Sequence, residues 1–195
     1  MKNNTLLIFI KNPQKGKVKT RLAQTVGDDE ALRIYLELLN YTRTLATQIS
    51  ANRHIYYSHF IDNEDRWITP TFEKHLQQGQ DLGLRMSKAF ELAFQNSNKV
   101  VIIGSDCATL TTTIIEDAFK ALDDKDFVIG PAQDGGYYLL GMAQFMPFVF
   151  DSVEWSTESV FPKTIENIQN HQKTYTLLPT LSDIDYEEDW KKYGW

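Results

Sequence analysis

Four short runs of apolar residues constrain this chain more than any other feature of its sequence. They are Leu6-Leu7-Ile8-Phe9-Ile10, Val100-Val101-Ile102-Ile103, Phe127-Val128-Ile129 and Tyr137-Tyr138-Leu139-Leu140. A run without polar alternation is a strand covered on both faces, and such strands belong to sheets packed between helices. Ile55-Tyr56-Tyr57 and Tyr175-Thr176-Leu177-Leu178 are weaker strand candidates. None of these runs approaches the roughly 18 residues of a membrane-spanning helix, so no membrane span is expected.

Helical periodicity fills the intervals. From Asp28 to about Ser50, Leu32, Tyr35, Leu38, Leu39, Leu45, Ala46 and Ile49 recur at three- and four-residue steps. Leu82, Met86, Ala89, Phe90, Ala93 and Phe94 do the same between Asp81 and Asn96. A third helix is predicted near Thr113, where Thr113 and Glu116 have capping-box spacing, with Ile115, Ala118, Phe119 and Leu122 on its buried face. A fourth follows Ser159, with Pro162 in its first turn. The polar stretch from Asn63 to Thr71 predicts a loop. Strand and helix in alternation predict an α/β sandwich with a mostly parallel sheet and right-handed crossovers. With 195 residues and neither repeat nor linker, residues 1–195 are expected to form a single domain.

The net charge of −6 averages over two unlike regions. Residues 1–27 hold Lys2, Lys11, Lys15, Lys17, Lys19 and Arg21 and no acid, a balance of +6, so the remaining 168 residues carry −12. An acidic chain of this kind is a poor binder of bulk nucleic acid, which needs an electropositive surface. Cys107 is the sole cysteine, so no internal disulfide can form, which fits a reducing compartment. The apolar stretch before Lys11 is too short for a signal-peptide core, and a cytoplasmic protein is expected.

The basic residues cluster directly after the first strand, in Lys11-Asn12-Pro13-Gln14-Lys15-Gly16-Lys17-Val18-Lys19-Thr20-Arg21. Loops leaving the carboxyl ends of parallel strands are where open α/β sheets bind ligands. Backbone amides with Lys and Arg make a phosphate cradle. A P-loop is excluded, because Lys11 and Val18 stand where it requires Gly and Ser or Thr. A dinucleotide fingerprint is excluded too, because Gly16 stands alone. A solvated basic turn is the plainer alternative for this loop.

Carboxylates mark the ends of later strands. Gly104-Ser105-Asp106-Cys107 follows the second run, and Asp106 there could hold Mg²⁺ or Mn²⁺, which take oxygen ligands and bridge phosphates. Capping or turn duty is the alternative for Asp106. Ser105 lacks the Gly-x-Ser-x-Gly context of an elbow nucleophile, and Cys107 reads as a small packed residue. Asp134-Gly135-Gly136 between two strand candidates reads as a hairpin turn that can still aim Asp134 at a ligand. Near the carboxyl terminus, Glu187, Glu188 and Asp189 suit a first helical turn, whereas Asp183 and Asp185 precede it and are candidates for a metal or a substrate hydroxyl. The histidines His54, His59, His75 and His171 have no metal-ligand spacing, and zinc is not expected.

Five motifs occur in one order: Pro13-x-x-Gly16-Lys17-Val18-Lys19-Thr20-Arg21-Leu22, Gln80-Asp81-Leu82-Gly83-Leu84-Arg85-Met86, Gly104-Ser105-Asp106-Cys107, Gly130-Pro131-Ala132-x-Asp134-Gly135-Gly136-Tyr137-Tyr138-Leu139, and Asp183-Ile184-Asp185 with Glu188-Asp189. Together they resemble the bacterial DUF2064 proteins, glycosyltransferase-like proteins with the nucleotide-diphospho-sugar transferase (GT-A) fold. More distantly the chain is similar to phospholactate and molybdenum-cofactor guanylyltransferases. The resemblance implies a three-layer α/β/α domain with nucleotide bound across the first strand–loop. It implies phosphate or nucleotide contacts from Pro13, Gly16, Lys19, Arg21, Gln80, Asp81, Gly83, Arg85 and Ser105, and a metal at Asp106. It also implies an acceptor side shaped by Gly135, Gly136 and Tyr137, with Asp134 or Asp185 orienting or deprotonating the acceptor. Two positions depart from the pattern: Ala108 replaces the usual Pro, and Cys107-Ala108 leave Asp106 without the second carboxylate of an Asp-x-Asp pair.

The function expected is a metal-dependent transferase using a nucleotide-sugar or nucleoside triphosphate donor and a small-molecule acceptor. The alternatives are a nucleotidyltransferase that releases pyrophosphate and a non-catalytic nucleotide-binding module.

Overall fold

The structure is a computed structural model, described for residues 3–195; Lys2, counted above in the basic segment, lies outside them. Every apolar run becomes a strand. In chain order these are β1 (Asn3–Ile10), β2 (Asn52–Tyr57), β3 (Glu73–Leu76), β4 (Ser97–Ile103), β5 (Phe127–Pro131), β6 (Tyr137–Met142) and β7 (Tyr175–Leu177). They form one sheet in the order β3-β2-β1-β4-β6-β5-β7. All neighbours are parallel except at β6, which runs antiparallel to both β4 and β5. The helices are α1 (Thr20–Val26), α2 (Asp28–Gln48), α3 (Leu82–Phe94), α4 (Thr112–Ala121), α5 (Val160–Asn170) and α6 (Glu187–Tyr193), with a 3₁₀ turn at Pro147–Phe150.

The period of two along each strand divides the core into two layers. Leu6, Ile8 and Ile10 of β1 face one side, where Tyr35 and Leu39 of α2 and Ile115 and Phe119 of α4 cover them. Leu7 faces the other side, against Met86, Ala89 and Phe90 of α3 and Ile168 of α5. This is the three-layer α/β/α sandwich. A smaller apolar cluster joins Leu22 of α1, Ile34 and Leu38 of α2, Ile184 and Trp190, and holds α1 beside α6. No helix among the described residues is long and apolar enough to cross a membrane.

Three local expectations change. Strand β3 is absent from the sequence reading, because Glu73-Lys74-His75-Leu76 is polar and sits at the sheet edge, where burial imposes no apolar run. Helix α1 is likewise hidden within the basic loop. Helix α4 starts two residues earlier than the Thr113–Glu116 capping-box spacing predicts, and its cap is Thr111, whose hydroxyl accepts a hydrogen bond from the Ile114 amide at 3.3 Å. An N-cap needs a non-helical backbone to turn its oxygen toward the next amides. Thr111 has that backbone (φ −121°, ψ 161°), whereas Thr113 is already inside the helix. Thr111→Ala should therefore cost about 1 kcal/mol in denaturant unfolding, with the slope unchanged. Thr113→Ala should cost less than half of that.

Candidate active site

Strands β1, β4, β5 and β7 end at one edge of the sheet, and the antiparallel β6 begins there. Four segments of the sequence reading therefore converge. They are the basic loop after β1, Gly104-Ser105-Asp106 after β4, the Asp134-Gly135-Gly136 turn between β5 and β6, and Asp183-Ile184-Asp185 after β7. The Ile184 amide donates to the Asp106 carbonyl at 2.9 Å, and Ala132 bridges to Leu181, so three of the segments are tied backbone to backbone.

Lys19 stands at the centre. Its side chain is only 4% exposed, with Nζ 2.6 Å from Asp106 Oδ1 and 3.8 Å from Asp185 Oδ1. Arg21 reaches the other oxygen of Asp185, NH1 to Oδ2 at 2.9 Å. Lys19 takes a left-handed backbone (φ 48°, ψ 42°) and precedes α1. That conformation is strained for a residue with a side chain and persists where surrounding contacts enforce it. Val18, buried beside it, and the ion pair with Asp106 are those contacts.

Asp183, half-buried like Asp106 and Asp185, belongs to the same group. Burial, reinforced by the charges of Asp106, Asp134 and Asp185 and opposed by Lys19, pushes its carboxyl up to about 7. Asp106 and Asp185 stay partly exposed, with 39% and 32% of their side chains accessible.

The other residues predicted for the site fall into distinct positions. Pro13 and Gly16 shape the first loop; Gly16 has φ 72°, and the Lys17 amide donates to the Gln14 carbonyl at 3.0 Å. Lys15 is held by Asp29 in a surface ion pair. Lys11 and Lys17, with Asn12, Gln14 and His59, line a cleft of about 290 Å³ between this loop and the end of β2. Ser105 is buried, and its hydroxyl lies 3.3 Å from the Tyr35 hydroxyl rather than at the surface. Asp134 is exposed and accepts from the Gly136 amide at 2.9 Å. Gly135 (φ 87°) is pressed against the backbone of Glu158, where a Cβ would come within 2.6 Å. Its carbonyl accepts from the Phe161 amide of α5. The turn is thus clamped to the start of α5. Tyr137 packs its ring into the α3-side core, with its hydroxyl near Met86 Sδ.

The Gln80–Arg85 segment precedes and opens α3, and its side chains serve the backbone. Asp81 caps α3 by accepting from the Leu84 amide at 2.8 Å, and Arg85 Nε donates to the Gly79 carbonyl at 3.0 Å. Gly83 packs against Trp155, where a Cβ would come within 2.4 Å of the indole, and Gln80 is exposed. No ion pair or hydrogen bond among the described residues joins this segment to the Lys19–Asp106 group.

Two positioning residues escape the sequence reading. Tyr35 of α2 donates its hydroxyl to the Lys11 carbonyl and accepts from the Lys11 amide, both at 2.9 Å, while touching Ser105. It thereby couples the start of the basic loop to the end of β4. Burial and the nearby Asp106 carboxylate push that hydroxyl well above its ordinary value, so it stays protonated. Buried Asn12 donates to the Phe60 carbonyl at 2.8 Å and accepts from the His59 amide at 2.9 Å, holding the loop to the end of β2. Neither carries a local sequence signal, because Tyr35 reads as one more apolar position of a helix. Cys107 is packed, and burial pushes its thiol up, as expected of an inert cysteine.

Residues 41–157 match the family described as "Uncharacterized protein conserved in bacteria (DUF2064)". The chain belongs to this family. A solved structure from Desulfovibrio desulfuricans G20, provisionally named a nucleotide-diphospho-sugar transferase, is 34% identical over 95% of this chain and 84% of its own, with a TM-score of 0.89. The fold extends further. The 4-diphosphocytidyl-2C-methyl-D-erythritol synthase of Anaerococcus prevotii DSM 20548 superposes at TM-score 0.63 with 10% identity, covering 99% and 97% of the two chains. Rv0371C of Mycobacterium tuberculosis H37Rv, solved as a complex with manganese, superposes at 0.60 with 9% identity, covering 98% and 97%. No curated protein matches the sequence. The fold of this chain is therefore that of the nucleotide-diphospho-sugar transferase-like structures.

The raised carboxyl of Asp183 has a consequence for stability. A group whose folded value exceeds its unfolded value stabilises the fold below the unfolded value and loses that contribution as pH rises through the folded one. For Asp183 the window runs from about pH 4 to about pH 7. Asp183→Asn removes the ionisation, so its melting temperature relative to wild type should climb between about pH 4 and about pH 7 in chelator-containing buffer. A difference that stays flat over that interval would contradict a raised carboxyl at this position.

Proposed function

We propose that this protein is a divalent-metal-dependent transferase that takes a nucleotide donor, either a nucleotide-sugar or a nucleoside triphosphate, and passes one part of it to a small acceptor. The observation that carries this reading is the position of Lys19. A buried ammonium lies between Asp106 and Asp185 at the carboxyl edge of the sheet, beside a basic cleft. An ammonium shared by two carboxylates occupies a place where positive charge is stabilised, and the surrounding donors are all oxygens, which suits Mg²⁺ or Mn²⁺. Asp106 and Asp185 are the residues that would hold such an ion, with Asp183 behind them. This supplies the second carboxylate that the sequence lacks immediately after Asp106. The ion's contribution would be to neutralise the donor's phosphates.

The residues of the chain supply the rest. Lys11 and Lys17 at the cleft attract the polyphosphate, and Lys19 and Arg21 exchange carboxylate partners for phosphate oxygens as the donor enters. Charge building on the leaving phosphate then meets fixed cations rather than reorganising water, which lowers the barrier. Asp134, on the clamped turn across the edge, accepts the acceptor's proton or orients its hydroxyl, and Asp185 is the alternative for that role. Four basic side chains along one loop favour a triphosphate over a diphosphate-sugar. Nucleotidyl transfer with release of pyrophosphate is therefore the second reading.

Pyrophosphate and nucleoside-diphosphate release, followed over a panel of triphosphates and nucleotide-sugars with Mg²⁺ or Mn²⁺, separates the two. Asp106→Asn should lower turnover by about 100-fold or more. Lys19→Met should lower turnover and weaken nucleotide binding together. Nucleotide binding that is unchanged in Lys19→Met and Arg21→Ala would sink the phosphate-loop assignment.

A further inference from the structure

We infer that His54, Glu73 and His75 form a second metal site, distinct from the Asp106 edge, for a divalent transition ion of the imidazole-binding class, with Zn²⁺ as the representative. No spacing along the chain announces it, because the three residues come from two adjacent strands. Parallel β2 and β3 pair His54 with Glu73 and Tyr56 with His75. Residues two apart on a strand share a face, so His54, Tyr56, Glu73 and His75 form one four-residue patch. Tyr56 packs against Met86 and Phe90, which identifies that face as the α3 side.

The donors already converge. Glu73 Oε1 lies 2.9 Å from His75 Nε2, and Oε2 lies 3.5 Å from His54 Nε2. One donor atom from each of the three residues falls within 4.8 Å of the other two. Donors around a tetrahedral Zn²⁺ stand roughly 3.4 Å apart, so the site closes by a shift of about an ångström. Glu73 can make that shift, being 64% exposed, while the two histidines are held at 14% and 17% exposure. The His75 ring is fixed by stacking on Tyr56, with centroids 4.8 Å apart and planes at 16°.

The polar bookkeeping points the same way. His75 Nε2 faces Glu73 Oε1 at 2.9 Å yet makes no well-aligned hydrogen bond, so of the converging donors it is the one left without a partner; His54 turns its Nε2, not its buried Nδ1, toward the glutamate. A buried nitrogen without an aligned partner is uncommon in native folds and calls for an explanation. Two imidazoles and one carboxylate select Zn²⁺ or its neighbours over Mg²⁺, which prefers oxygen and water. Three protein ligands leave a coordination position open, and a cleft of about 520 Å³ lined by His54 and Glu73 adjoins the group. That cleft also contains Thr5, Asn52 and Ser97, which stand at the beginnings of β1, β2 and β4. It therefore opens at the edge of the sheet opposite Lys19 and Asp106. A bound ion would also clip β3, a four-residue edge strand, to β2.

The test uses the full chain stripped of metal with chelator and dialysed, then titrated calorimetrically with Zn²⁺ in the presence of excess Mg²⁺. Wild type should bind one equivalent with a dissociation constant of about 1 µM or tighter. His54→Gln/His75→Gln should lose that equivalent, and Glu73→Gln should weaken it by about tenfold or more. Zn²⁺ should raise the melting temperature of wild type but not of the double variant. Glu73→Gln changes an exposed side chain, so it serves where the double variant fails to fold. The proposal is overturned if wild type binds no equivalent this tightly, or if all three proteins bind Zn²⁺ with the same stoichiometry and affinity.

Discussion

The Lys19 ammonium, 2.6 Å from Asp106 and 3.8 Å from Asp185, is what lets three carboxylates share one edge of the sheet. Carboxylates drawn to one ammonium repel each other, and the ammonium between them offsets that repulsion. Without a cation between them, Asp106 and Asp185 would push apart the strand ends and the tail segment that carry them. The left-handed backbone at Lys19 is strained, at a cost of about 1–3 kcal/mol for such a residue, and the ion pair offsets it. At Asp183, desolvation and the neighbouring carboxylates push the carboxyl up to about 7.

The remainder of the architecture serves this junction. The apolar cluster of Leu22, Ile34, Leu38, Ile184 and Trp190 brings α1 and α6 together, and so brings Arg21 within reach of Asp185 across 164 positions of sequence. The reversed strand β6 has a comparable effect. By starting at the edge where β4 and β5 end, it places the Asp134-Gly135-Gly136 turn beside Asp106. The close approach of Gly135 to Glu158 then anchors that turn to α5, since no side chain fits there.

The central strands and the long helices were legible because burial on both faces leaves an apolar run, and burial on one face of a helix leaves a stripe. Leu6–Ile10 and Val100–Ile103 are examples of the first, and Leu32–Ile49 of the second. Elements that bury little leave no such trace. Strand β3 has a polar sequence and lies at the edge, and its partnership with β2 is what joins His54, Glu73 and His75. Of the candidate site, Lys19, Arg21, Asp106, Asp134, Asp183 and Asp185 stand out in the sequence by type and by position after a strand. Ser105 illustrates the converse, because its place in a motif does not reveal that its hydroxyl turns inward to Tyr35.

By itself the sequence determined the layer architecture, the family resemblance and the set of charged residues at strand ends, because those depend on local periodicity and on residue identity. Which of those charges meet was decided by the tertiary structure alone. Lys19 faces Asp106 rather than solvent, Asp185 meets the same ammonium, and two histidines 21 positions apart meet over one glutamate. The reason is physical. Strand order and register are set by the collective burial of the whole sheet, and no spacing within one segment carries that information.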